Sequence, residues 1–125
     1  MQLLVLQERL AVCRLPAGSA LPGWVSGDGF RSVTATVEEL SIICSEARVP
    51  TGVRREPGWR ALKLAGPFEF DAVGVLLPIA ARLAQAGISI LPVATFDTDY
   101  VLVKEARLAE ARAALAADGH ELRDA

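Results

Sequence analysis

Histidine is nearly missing from this chain, and cysteine is scarce. One histidine and two cysteines among 125 residues leave little from which to build a histidine-based triad or a zinc cage. The single His120 follows a helix-stopping glycine and reads as a surface residue, so Ser41, Ser45 and Thr51 have no general base to serve. Cys13 and Cys44 each sit inside an alternating apolar run, without a Cys-x-x-Cys neighbour, as expected of buried thiols. Phosphate loops, dinucleotide fingerprints and metal-ligand spacings are absent as well, so neither a cofactor nor a metal is expected. Catalysis is argued against more firmly than any one ligand is argued for.

Long apolar runs are missing too. None approaches the roughly 20 residues that a bilayer-spanning helix needs. The opening MQLLVLQERL lacks the apolar region and small-residue cleavage site of a signal peptide. The expectation is a cytoplasmic protein without a membrane partner. No sign of charge dominates: 13 basic against 15 acidic residues give a net charge of -2. With no basic stripe and no interleaved aromatics, nucleic acid is not an expected partner.

What is present is apolar residue, 52% of the chain, enough for one core or two small ones sharing an interface. Residues 3–6 and 10–15 are short apolar runs with a polar break between them, which predicts an opening hairpin. Pro16 to Gly29 is crowded with proline and glycine and predicts a long loop, with room for one helical turn around Trp24. Phe30 to Thr36 alternates as a strand. Thr36 and Glu39 have the spacing of a capping box for a brief helical turn before LSIIC resumes a strand. The block from Val49 to Gly58, with its prolines, glycines and charges, predicts a boundary. It divides the chain into units of 1–56 and 57–125.

The second unit reads as strand (59–64), turn, helix (Val75–Ala86), strand (88–93), polar turn, strand (100–103), helix (Arg107–Ala117) and a last short strand in HELR. That order, βαββαβ, is the ferredoxin-like split pattern of an α+β fold with a four-stranded antiparallel sheet. Pro78 lacks an N–H and so sets the start of the first helix near Gly74 or Val75. N–H groups there could receive a carboxylate, beside a glycine that tolerates close approach, or they could simply face solvent. In the turn Thr95, Phe96, Asp97, Thr98, Asp99, two acidic residues at i and i+2 could accept an ammonium or guanidinium. The same residues could equally be an ordinary polar hairpin.

At these residues the chain resembles a known family. The FD..G turn (Phe70, Asp71, Gly74), AGISI (Ala86–Ile90), TFDTDYVLV (Thr95–Val103) and TVEELSIIC (Thr36–Cys44) are similar to blocks in ACT-domain proteins of the CASTOR type, the cytosolic arginine sensors, and their small bacterial relatives with paired ACT-like domains. The resemblance implies a ferredoxin-like ACT domain preceded by a smaller, mostly β ACT-like unit. It also implies a non-catalytic regulatory role, in which an amino acid effector sits at an ACT domain interface and the signal passes to a regulated protein partner. Carried over by position, it implies ligand contacts at Gly74, Val75, Thr95, Phe96 and Asp99. Those sensors carry two tandem copies of the unit, and this chain carries one, so a homodimer is the implied assembly. The alternative is a structural or protein-interaction module without a small-molecule ligand.

Overall fold

A computed structural model describes residues 1–65 and 74–125. In chain order its elements are β1 (Gln2–Val5), β2 (Leu10–Pro16), β3 (Ser32–Ala35), β4 (Glu39–Ser45), β5 (Arg54–Leu64), α1 (Leu77–Gln85), β6 (Ile90–Ala94), β7 (Asp99–Lys104), α2 (Leu108–Ala117) and β8 (Glu121–Asp124). The expected turn FEFDAVG, with Phe70 and Asp71, lies outside the described residues except for its last residue, Gly74.

Two compact units form, Met1–Gln7 with Arg60–Ala125, and Glu8–Trp59. This division differs from the sequential one at 56/57, because β1 belongs with the C-terminal elements. Its Leu3, Leu4 and Val5 pair antiparallel with Leu64, Lys63 and Leu62 of β5, and the strand runs parallel to β8. The expected hairpin of β1 with β2 therefore does not form. Leu3 and Val5 are fully buried in the C-terminal core, and that burial decides the partner.

In the C-terminal unit the strand order is β8, β1, β5, β7, β6, and the chain from β5 onward follows the expected βαββαβ course. Among the described residues the sheet has five strands, not four, because β1 is inserted between β5 and β8. Alternation puts Leu62, Leu64, Val101 and Val103 on one face, where they meet Ile79 and Leu83 of α1 and Ala111 and Leu115 of α2. Ile79 and Leu83, four residues apart, are both fully buried, which is the stripe that holds α1 on the sheet. Both helices end in the same way. Gly87, at φ 72°, lets its N–H reach the carbonyl of Ala84 at 3.0 Å and that of Ile88 reach Leu83 at 3.0 Å. Gly119, at φ 88°, repeats the arrangement with Ala116 and Leu115, and there the second donor is the backbone of His120. His120 is half-buried and its main chain closes a helix, a role that the surface reading of this residue did not include.

Residues 8–59 form a sheet of order β3, β4, β2 and the first half of β5. In β4 every second residue is buried, so Leu40, Ile42 and Cys44 face a core with Ala11, Cys13, Val25 and Val49. The loop after β2 supplies Val25 and Trp24 through a single 3-10 turn at Gly23–Val25, as the sequence suggested. Arg48 fastens that loop by donating to the carbonyls of Ser26 and Asp28. The segment 49–58, where a boundary is expected, holds a turn followed directly by β5. The guanidinium of Arg55 stabilises the turn by donating to the carbonyls of Val49, Pro50 and Val53. Thr36 caps no helix. Its hydroxyl accepts from the N–H groups of Glu38 and Glu39, each at 3.1 Å, and so closes the β3–β4 turn. Both cysteines are free and buried, and burial pushes the Cys13 thiol up to about 11 from 9.0.

Candidate functional site

The first candidate segment precedes α1. Gly74 is exposed, with φ +76°, a conformation that L side chains rarely adopt. A methyl group added there would meet nothing within 4 Å. Its glycine is thus explained by backbone conformation and not by crowding, and open space adjoins it. Val75 is half-buried against the C-terminal core.

The helix itself begins at Leu77, later than the expected Gly74 or Val75. Leu76 is its N-cap, without a side-chain cap, and its carbonyl accepts from Ile79 at 3.1 Å and Ala80 at 3.0 Å. Pro78 has no N–H and that of Ile79 is used, so at most the N–H of Leu77 remains for a ligand in the first turn. The anion-binding capacity expected of this helix start is correspondingly smaller, and Gly74 and Val75 lie before the helix instead of within it.

The second segment is the β6–β7 connection. Ladder pairs run from Ile90 with Val103 to Ala94 with Asp99, and four residues, Thr95 to Thr98, turn the chain. The N–H of Thr95 donates to the Thr98 carbonyl at 2.8 Å, the Thr95 hydroxyl donates to the same carbonyl at 3.0 Å, and the Thr98 N–H returns a bond to that hydroxyl at 3.2 Å. Phe96 is 80% exposed at the tip. Asp97 lies in the turn and Asp99 opens β7, so the two carboxylates do not share one extended segment as the i, i+2 argument required. Asp99 is half-buried and Asp97 exposed, and Asp99 is the better placed acceptor of the two.

Sequence reasoning did not single out Thr98. It is 7% exposed, the buried polar residue of the described set, and its hydroxyl donates to the Leu64 carbonyl at 2.7 Å. That bond ties the turn to the end of β5. The available signal was the pair of threonines three residues apart, which is an ST-turn pattern.

Among the described residues no cluster of histidine, cysteine and carboxylate side chains could hold a metal, and no helix is long and apolar enough to cross a membrane.

Comparison with known proteins agrees with this architecture. A family model described as an ACT domain matches residues 54–117, and one described as an N-terminal domain matches residues 8–52. No curated protein matches the chain. The crystal structure of an Agrobacterium tumefaciens protein is 41% identical, covers 99% of this chain and 92% of its own, and superposes with a TM-score of 0.93. A Vibrio cholerae protein of unknown function, described as a possible transport protein, is 20% identical over 92% of this chain and 87% of its own, with a TM-score of 0.76. The aspartate kinase of Clostridium acetobutylicum, described as an allosteric enzyme, shares the fold over 87% of this chain and 32% of its own, at 12% identity and a TM-score of 0.65. With the ACT model spanning more than half of its length, this chain belongs to the ACT-domain family.

Proposed function

We propose that the protein is a non-catalytic regulatory protein that binds an amino acid at Gly74, Val75, Thr95, Phe96 and Asp99. The observation that carries this reading is Gly74, held at φ +76° with open space beside it at the entry to α1 of an ACT domain. An α-carboxylate approaching there would meet the Leu77 N–H, and the carboxylate of Asp99 would take an amine or guanidinium. The small-molecule role accords with the ACT family, and the Clostridium kinase sharing the fold is described as an allosteric enzyme of amino acid production. Within the family we place the chain nearest the arginine-sensor type. Its smaller first unit acts as a second ACT-like module, and a cytoplasmic homodimer completes the ligand interface and signals to a regulated partner.

A melting panel of the purified protein against the twenty amino acids tests this. Ligand at about 100 times its dissociation constant adds roughly 2.7 kcal/mol to folding stability. The expected result is a shift with one amino acid or a few related ones, lost in Asp99→Ala and kept in variants of the N-terminal unit. A flat panel at millimolar concentration overturns the reading.

One observation favours a second reading, a protein-interaction module. Phe96 is 80% exposed and Leu77 70% exposed, so each candidate segment carries a large apolar side chain in solvent. On that reading Phe96→Ser abolishes partner capture and Asp99→Ala leaves it intact.

A further inference from the structure

Residues 8–59 enclose a cleft of about 210 Å³ that the proposed amino acid site does not use. Its lining includes Val12, Arg14, Glu39, Ser41, Arg54 and Glu56. Strand register explains their meeting. Val12 and Arg14 share one side of β2, opposite to Cys13. Pairing puts Ser41 of β4 beside Arg14 on one flank and Arg54 of β5 beside it on the other. Thr34 of β3 pairs with Ser41 and extends the row. One line across four strands therefore reads hydroxyl, hydroxyl, guanidinium, guanidinium.

Two guanidinium groups at directly opposed positions of an antiparallel pair repel each other, and nothing in the row neutralises them. Arg54 is exposed and has no partner among the described residues. Arg14 donates to the carbonyl of Glu38 at 3.1 Å, which satisfies a donor without cancelling its charge. Arg55 also lines the cleft, but it pairs with Cys13 and so belongs to the opposite face of the strands, where its guanidinium donates to the carbonyls of Val49, Pro50 and Val53. The carboxylates of Glu39 and Glu56 line the same face two residues along β4 and β5 from Ser41 and Arg54, beside the row and not in it, so the two opposed guanidinium groups have no anion at their own register position.

We propose that the Arg14 and Arg54 row is a binding site for an oxyanion group, carboxylate or phosphate, of a small metabolite. Each guanidinium presents a planar fork of N–H donors suited to two oxygens of one anion, and the Ser41 hydroxyl can supply a further donor. Val12 gives an apolar surface for the carbon skeleton. Glu39 and Glu56, which flank the row on β4 and β5, disfavour a second anionic group and suit a hydroxyl or amine. The volume admits only a small molecule.

The test is a two-dimensional NMR titration of the full chain with inorganic phosphate and, separately, with succinate, at constant ionic strength held with sodium chloride. The expected result is saturable movement of the Arg14, Ser41 and Arg54 amides with at least one of the two anions, and whichever binds names the headgroup. The apparent dissociation constant should rise at least tenfold in Arg54→Gln and stay unchanged in Asp99→Ala, which separates this site from the amino acid site. Arg54→Gln should melt at or above the wild-type temperature, since removing an opposed like charge relieves repulsion. Linear shifts that chloride reproduces, movement undiminished in Arg54→Gln, or a clearly lower melting temperature of that variant would each overturn the proposal.

Discussion

Replacing Thr98 by valine removes one hydroxyl from an otherwise isosteric side chain, and the structure indicates what that hydroxyl does. It is buried, 7% exposed, and donates to the Leu64 carbonyl at 2.7 Å. In Thr98→Val the carbonyl loses that donor in a position that water reaches poorly. Leaving a buried acceptor unsatisfied costs about 1–3 kcal/mol. The backbone bonds of the turn itself, between Thr95 and Thr98, do not need the Thr98 hydroxyl, and this argues for the lower half of that range. For a chain of 125 residues the unfolding entropy is about 0.26 kcal/mol/K, so ~1.5 kcal/mol lowers the melting temperature by roughly 6 °C. Differential scanning calorimetry reads this directly, with Thr98→Ser as the control that keeps the hydroxyl and loses only a methyl group. The reasoning fails if Thr98→Val melts within a degree of wild type, or if Thr98→Ser is the more damaging of the two.

Two further expectations concern the backbone and the thiols. Gly74→Ala meets no atom within 4 Å, so it should lose only the strain of φ +76°, about 1–2 kcal/mol. Gly27→Ala combines φ +121° with a clash against the Arg48 guanidinium that clamps the loop, and should unfold at lower urea than Gly74→Ala. Cys13 is held neutral by burial, its pKa raised from 9.0 to about 11. A raised value means that its contribution is fully present below pH 9 and is lost as pH rises through about 11. Urea midpoints measured from pH 8 upward should therefore fall more steeply for wild type than for Cys13→Ala. Parallel curves would refute the assignment.

The C-terminal unit was legible because its signals are local. Ile79 and Leu83 carry a helical period, Gly87 and Gly119 stop helices at the positions where φ is positive, and Ile90 to Ala94 is an apolar strand bounded by a turn. Misread features depended on distant partners. LLVL at 3–6 has the composition of a hairpin strand, yet its partners are Leu62 to Leu64 and residues 121–124, both more than fifty residues away. Proline and glycine at 57 and 58 belong to the stretch expected to form a boundary, and they fall where the β2–β5 register shifts, between the pairs Leu10 with Trp59 and Val12 with Glu56, where a bulge accommodates both residues inside a strand.

The same distinction separates the two sites. Gly74, Thr95 and Asp99 could be named from sequence because turn residues and a resemblance mark them, whereas the helix start was misplaced because Pro78 is compatible with the first turn itself as well as with its interior. Arg14 and Arg54 carry no mark at all. Forty residues apart, one sits in an apolar strand and the other in the charged stretch of the expected boundary. Only the antiparallel register of β2 and β5 opposes them, and a register shifted by one residue would set Arg14 against Arg55, whose guanidinium is committed to turn carbonyls. The oxyanion site is thus a property of strand pairing. A change that alters pairing near the bulge, such as deletion of Gly58, should erase it while both arginines remain in the chain.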